Sequence, residues 1–229
     1  VNDSKGFYHC FGCQEHGSIF DFVMKTEGLD FIQAVEQLAR EASLDVPAMD
    51  RSVRQSPEQK KERDSLYDLM EASATWFQKQ LWKPVGADAA NYVDGRGLEP
   101  ETISHFRIGF APDSRTALKK SMLEKGYTDN DLIASGMVIA PDDGAKTYDR
   151  FRNRIMFPIK DTRDRIIAFG GRALAADARA KYLNSPETSL FHKGSVLFNL
   201  SGARGATRDS GSVTVVEGYM DVAALHQAR

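Results

Sequence analysis

Three groups of residues have types and spacings that could do chemistry: Cys10 with Cys13, Glu217 with Asp221, and the arginines Arg150, Arg152 and Arg154. The two cysteines of the chain are separated by two residues in Phe7-Tyr8-His9-Cys10-Phe11-Gly12-Cys13. Thiolates at that spacing on a tight turn suit zinc, which takes four nitrogen or sulfur ligands in structural sites. A thioredoxin-like pair would instead follow a strand and open a helix. Aromatic residues before Cys10 and a glycine inside the pair favour a knuckle on a β-hairpin over two incidental thiols. His9 and His16 are near, but His9 and Cys10 point to opposite sides of an extended strand. The other two ligands are therefore expected before Val1.

Ser212-Val213-Thr214-Val215-Val216 is a β-branched run that predicts a buried strand, and Glu217-Gly218-Tyr219-Met220-Asp221 leads from it into a helix. A carboxylate at the C-terminal edge of a sheet lies where open α/β sheets place their ligands, and Gly218 lets the backbone turn closely. Asp221, in the first helical turn, could face the same crevice. Two carboxylates there suit Mg²⁺, which favours oxygen ligands and substrate phosphates. The alternative is that Asp221 only complements the helix dipole and Glu217 is a surface acid. On a strand, Arg150, Arg152 and Arg154 would share one face and Phe151, Ile155 and Phe157 the other. Such close like charges repel unless an anion answers them or some of the chain's 32 acids pair with them.

The elements that must position these groups fall into three regions. Ser18 and Asp30 are N-cap candidates for two short helices, the first packing through Ile19, Phe22 and Val23, the second through Phe31, Val35, Leu38 and Ala42. Residues 47–64 are polar and nearly free of large apolar groups, which predicts a flexible linker. A long helix then carries Leu66, Leu69, Met70, Ser73, Phe77 and Leu81 on one face. Beyond it the pattern predicts helices over Ala87 to Asp94, from Pro100, and near Ala117 and Asp129. Strands are predicted over Phe106 to Phe110 and Met137 to Ala140. A hairpin joins Arg154–Ile159 to Arg165–Gly170 through the turn formers Asp161-Thr162-Arg163-Asp164. The class is α+β.

A formal net charge of -2 excludes a wholly nucleic-acid-coating protein, so any contact with nucleic acid is local. Without a run of eighteen apolar residues or an apolar leader, the expectation is a cytoplasmic, monomeric protein with no membrane partner.

Val-Val-Glu-Gly-Tyr-Met-Asp-Val, residues 215–222, resembles the opening motif of the Toprim fold. The segments Tyr8-His9-Cys10-Phe11-Gly12-Cys13, Arg96-Gly97-Leu98, Tyr148-Asp149-Arg150-Phe151-Arg152, Phe169-Gly170-Gly171-Arg172, Lys181-Tyr182-Leu183-Asn184-Ser185-Pro186-Glu187-Thr188 and Phe191-His192-Lys193-Gly194 resemble bacterial DNA primases of the DnaG type. They occur in the family order and span nearly the whole chain apart from the linker. The resemblance implies the C-terminal part of a CHC2-type zinc-binding domain over residues 1–46, a tether over 47–64, the N-terminal subdomain of a mixed α/β primase catalytic core over 65–207, and the first strand and helix of Toprim over 208–229.

It further implies synthesis of short RNA primers on single-stranded DNA by metal-assisted nucleotidyl transfer from ribonucleoside triphosphates. Zn²⁺ would be structural, through Cys10 and Cys13, and Mg²⁺ catalytic, through Glu217 with Asp221 beside it. Arg96, Arg150, Lys181 and Lys193 fall on the family's basic positions lining the template and nucleotide cleft, with Arg172 a further candidate. For Arg152, Arg154 and Arg165, pairing with acids or backbone is expected instead. A replicative helicase would be met through a C-terminal domain beyond this chain, at the bacterial replisome. The remaining Toprim acids, including an Asp-x-Asp, are also expected beyond it, so the isolated chain is not expected to make primers, and Lys193→Ala and Arg150→Ala are expected to weaken binding in the complete enzyme. The alternatives are a phage or plasmid primase-helicase and a non-enzymatic zinc/Toprim recombination-repair protein. The second is disfavoured by the about two hundred residues between cysteines and Toprim motif. A topoisomerase would need a catalytic tyrosine that nothing in the sequence identifies.

Overall fold

The computed structural model describes residues 6–12, 15–27, 29, 31–42, 44, 57–175, 177–178 and 180–228. It divides into two compact units, Val1–Ser56 and Pro57–Arg229. In the first, strands β1 (Phe7–His9) and β2 (His16–Ser18) pair antiparallel, followed by helices α1 (Ile19–Glu27) and α2 (Phe31–Glu41). Ser18 caps α1 as expected. Its N–H donates to Asp21 Oδ2 at 2.7 Å and its Oγ accepts from the Asp21 N–H at 3.3 Å, a reciprocal capping box. Asp30 lies outside the described residues. The expected packing faces are only partly enclosed, for Val23, Ala34 and Ala39 are buried while Ile19, Phe22 and Phe31 are about half exposed. Two short helices and a hairpin cannot enclose large side chains on all sides, which is why domains of this size lean on a metal or a disulfide.

The second unit opens with α3 (Pro57–Leu81). The expected linker is therefore corrected over 57–64, which are helical; the rest of it, 47–56, lies outside the described residues. Low apolar content says nothing against a helix built from residues of high helix propensity. Proline suits the first helical position, and Glu, Gln, Lys and Arg are strong helix formers. Helices α4 (Ala87–Asp94), α5 (Pro100–His105), α6 (Ala117–Glu124) and α7 (Asp129–Ala134) follow the sequence expectation, as does the stop of α4 at Gly95. Helices α8 (Leu200–Ser210) and α9 (Tyr219–Gln227) complete the unit.

Its sheet is antiparallel, in the order β3 (Gly109–Ala111), β6 (Arg154–Lys160), β7 (Ile166–Ala173), β8 (Tyr182–Asn184), beside a small pair β4 (Val138–Ile139) and β5 (Tyr148–Asp149). The β6–β7 hairpin is the expected one. Its turn is held by the Asp161 carboxylate, which accepts N–H groups from Arg163 at 2.8 Å and Arg165 at 3.0 Å. Both faces of the sheet are covered. Along β6, Ile155 and Phe157 face a core with Leu81, Val93, Phe106 and Met220, while Met156 faces Leu69, Phe77, Leu118 and Phe169. Coverage on both sides explains near-continuous apolar runs where alternation would mark a half-solvated sheet. At Gly109, α3 crosses so closely that a Cβ would stand 2.6 Å from the Phe77 carbonyl carbon.

Besides the linker, and the strand expected over Phe106 to Phe110 that is found at Gly109–Ala111, two expectations fail. Arg150, Arg152 and Arg154 do not share a strand face, because Asn153 takes a left-handed φ of 47° and β6 begins only at Arg154. Phe151 accordingly joins the opposite core from Ile155 and Phe157. Residues 212–216 form no strand, and Val213 and Val215 are 63% and 78% exposed. A β-branched run becomes a strand only against a partner edge, and no described strand pairs with it.

Candidate nucleic-acid and metal interface

In the first unit, the Cys10 N–H donates to the Glu15 carbonyl at 2.7 Å, closing the β1–β2 turn with Cys10 exposed at its mouth. His9 and His16 pair across the hairpin with ring centroids 5.9 Å apart. A thiol at the mouth of a tight turn is the placement a zinc knuckle requires, so Cys10 fits a zinc ligand. Cys13 lies outside the described residues. Among the described residues no group of three His, Cys, Asp or Glu is placed to hold a metal.

In the second unit, the segment 181–193 is the hub of the basic residues. Lys181 is exposed at the start of β8, where its carbonyl accepts the Ala173 N–H at 2.8 Å. Arg172 pairs with Tyr182 across β7–β8, and its guanidinium lies 4.2 Å from the Tyr92 ring centroid while Nη1 donates to the Ala173 carbonyl. In mid-segment, Pro186 packs against Gly136, whose carbonyl accepts Arg150 Nε at 2.9 Å. Arg150 is half-buried, and that burial pushes its pKa down. At the end of the segment, buried Phe191 anchors the 3-10 turn Lys193–Ser195, where Lys193 is exposed. Arg152 donates to the Asp149 carbonyl, Arg154 to the carbonyls of Gly171, Ala180 and Lys181, and Arg165 pairs with Asp161. These three have the backbone and acid contacts expected of them.

Glu217 and Asp221 are both exposed, Glu217 just before the Gly218 N-cap of α9 and Asp221 in its first turn. Glu217 lines a cavity of about 530 Å³ between α8, the 212–216 run and α9. It does not terminate a strand. What fixes it is Tyr219, two residues on, which stacks on Phe157 at 5.2 Å, meets Phe198 edge-on at 4.9 Å and donates its hydroxyl to Asn184 Oδ1 at 2.8 Å. Tyr219 also shares a cluster with Phe191, two residues before Lys193, and lies 6.3 Å from the ring of Tyr182, the residue after Lys181, so the chain segments that carry the two lysines and the acid motif are joined through one tyrosine. Arg96 does not join them. It sits at the other end of α9, where Gln227 donates to the Gly97 carbonyl and accepts the Glu99 N–H, both at 2.8 Å. Nine helical residues, about 13.5 Å, separate that end from Glu217.

The sequence reading passed over Asp149, which is 2% exposed. Its carboxylate accepts the N–H groups of Leu118 at 2.8 Å and Lys119 at 3.0 Å, capping α6 where Thr116 makes no side-chain cap. Desolvation raises its pKa from 3.8 to about 6 against the pull of those N–H groups and Arg152. The folded state therefore holds the proton more tightly than the unfolded one, so this group's contribution to stability falls as pH rises from 3.8 through about 6. Asp149→Asn is expected to remove that slope, checked by melting curves of both proteins from pH 4 to 7. Parallel curves would contradict the assignment. The available signal was an acid set between Tyr148 and Phe151, in a motif whose other members are buried or half-buried.

The chain matches two family models, the CHC2 zinc finger over residues 1–54 and the N-terminal domain of the DNA primase catalytic core over residues 76–204. A DNA primase of Escherichia coli (strain K12) is 44% identical over 227 residues, which is 99% of this chain and 39% of that protein. The chain thus spans about two fifths of this relative's length. A solved DnaG primase catalytic domain bound to ssDNA is 44% identical, with a TM-score of 0.63 over 73% of this chain and 52% of that one. The zinc-binding and RNA polymerase domains of the Aquifex aeolicus primase are 30% identical, with a TM-score of 0.65 over 99% of this chain and 53% of that one. The CHC2 match supports zinc in the first unit, and the second has the mixed α/β architecture of the catalytic core. Motif order, sheet and both matches agree, and the chain belongs to the DnaG-type family of bacterial DNA primases.

Proposed function

We propose that this chain supplies the template and nucleotide seat of an enzyme that lays RNA primers on single-stranded DNA. The observation that supports the proposal is that Tyr219, two residues after Glu217, packs with Tyr182, Asn184 and Phe191, which lie within three residues of Lys181 or Lys193. Primer synthesis joins a 3′-hydroxyl to an α-phosphorus with pyrophosphate leaving, and bound Mg²⁺ would neutralise charge on the attacking and leaving oxygens. Exposed oxygens on Glu217 and Asp221 would hold such a solvated ion, and Lys181 and Lys193 would hold phosphates next to it. Arg172 would lend its charge from the β7 edge. Arg150 would act chiefly by fixing the hub, since its Nε is committed to Gly136, and Arg96 would serve a more distant stretch of strand. Cys10 and Cys13 would hold Zn²⁺ in the first unit. Residues 57–207 then form the first subdomain of the catalytic core and 208–229 the opening of Toprim. Ribonucleoside triphosphates and the replicative helicase complete the proposed partners, at the bacterial replisome. The related catalytic domain bound to ssDNA supports the template assignment.

The test is fluorescence anisotropy of this chain with a labelled single-stranded oligodeoxynucleotide at rising salt. Lys181→Ala and Lys193→Ala are each expected to weaken binding and to flatten the log–log salt dependence by about 0.7, one phosphate contact on a single strand. Failure of the unaltered chain to bind at low salt would refute the proposal.

A further inference from the structure

One acid lies where an anion seat should exclude it. Glu187, exposed in the middle of the hub, sits six residues before Lys193 in sequence and is hydrogen-bonded to it. Its Oε1 accepts the Lys193 backbone N–H at 3.0 Å, and its Oε2 meets His192 Nδ1 at 3.1 Å. That Lys193 N–H, with the His192 ring, holds the Glu187 carboxyl below the usual carboxylate range. The rest of the loop is built to the same end. The Thr188 N–H donates to the Phe191 carbonyl at 3.0 Å, and its Oγ1 accepts from the N–H groups of Leu190 at 3.2 Å and Phe191 at 3.1 Å. Beyond it, both the N–H and Oγ of Ser195 donate to the His192 carbonyl at 3.0 Å. Phe191 pins this loop to the core at 3% exposure. The backbone at Lys193 is thus held from both sides, and its ammonium is left to solvent.

By Coulomb's law alone, a carboxylate beside a phosphate seat weakens it. We propose that Glu187 does the reverse: it is a positioning residue whose carboxylate fixes the turn that presents Lys193, so its net effect is to strengthen polyanion binding. This rests on the phosphate seat proposed above. A long lysine side chain loses considerable conformational freedom when it grips a ligand, and a fixed backbone under it lowers that cost.

The two accounts differ in sign, and oligodeoxythymidine anisotropy with the full 229-residue chain separates them. Glu187→Ala is expected to weaken binding by about threefold at 50 mM salt, part of the roughly five- to tenfold that loss of one phosphate contact costs in Lys193→Ala. Glu187→Gln keeps an acceptor for the Lys193 N–H while shedding the charge, and should bind as tightly as the unaltered chain or more tightly. The double variant Glu187→Ala/Lys193→Ala should bind no more weakly than Lys193→Ala, because Glu187 acts through that lysine. Tighter or unchanged binding by Glu187→Ala, or additive losses in the double variant, would overturn the inference while leaving the phosphate seat standing. Absence of binding by the unaltered chain would remove the seat itself, and the inference with it.

Discussion

Phe169→Ala lowers the melting temperature of the second unit by roughly 10 °C, since truncating a buried Phe costs about 3–5 kcal/mol and each kcal/mol moves a unit of this size by about 2–4 °C. Phe169 is fully buried, 5.3 Å from the Phe77 ring of α3 and 6.4 Å from Phe151. It is the β7 side chain on which α3 closes, and α3 crosses the sheet too tightly at Gly109 to settle into a void. Circular dichroism melting checks the value. A fall of less than about 2 °C would mean that the α3 face relaxes freely, contrary to close packing of the interior.

Gly170→Ala, one residue along and on the opposite face, is expected to unseat α9. A Cβ at this position would stand 2.3 Å from Tyr219 Cε2 and 2.4 Å from Cζ. The end of a side chain usually swings aside. Here Phe157 stacks on the ring, Phe198 meets it edge-on and Asn184 takes its hydroxyl, so the ring must leave its place altogether. Overpacking of this kind costs about 1–3 kcal/mol. The distinguishing measurement is ultraviolet titration of tyrosine. Burial raises the pKa of both Tyr127 and Tyr219, and Gly170→Ala should return one of these two late-titrating phenols to the ordinary range. Two late phenols in the variant would show Tyr219 still in place.

Most helices, though not α8, and the central hairpin were legible because each announces itself locally. Thr128 and Asp131 form a reciprocal capping box at the start of α7, Gly95 stops α4, and Asp161 ties the β6–β7 turn. The failures that move candidate site residues are non-local. A left-handed Asn153 inside an apparent strand is invisible to periodicity, and it sent Arg150 and Arg152 away from Arg154. The 212–216 run has strand composition, yet composition cannot supply a partner edge. Among the candidate site residues, the motif lysines were named only through the family resemblance, since nothing in their type or spacing singles them out. The holding contacts, Asn184 to Tyr219 and Glu187 to Lys193, were not legible, because a polar side chain's partner is set by the folded chain and not by its neighbours in sequence.

Helix α9 is fastened at both ends to elements that precede it, by Tyr219 to β8 and by Gln227 to the loop after α4. The segment after residue 207 thus packs within the same compact unit as the sheet, Pro57–Arg229. A displacement of α9 would therefore have to break contacts at both of its ends at once, the Tyr219–Asn184 hydrogen bond and the pair that Gln227 makes with Gly97 and Glu99.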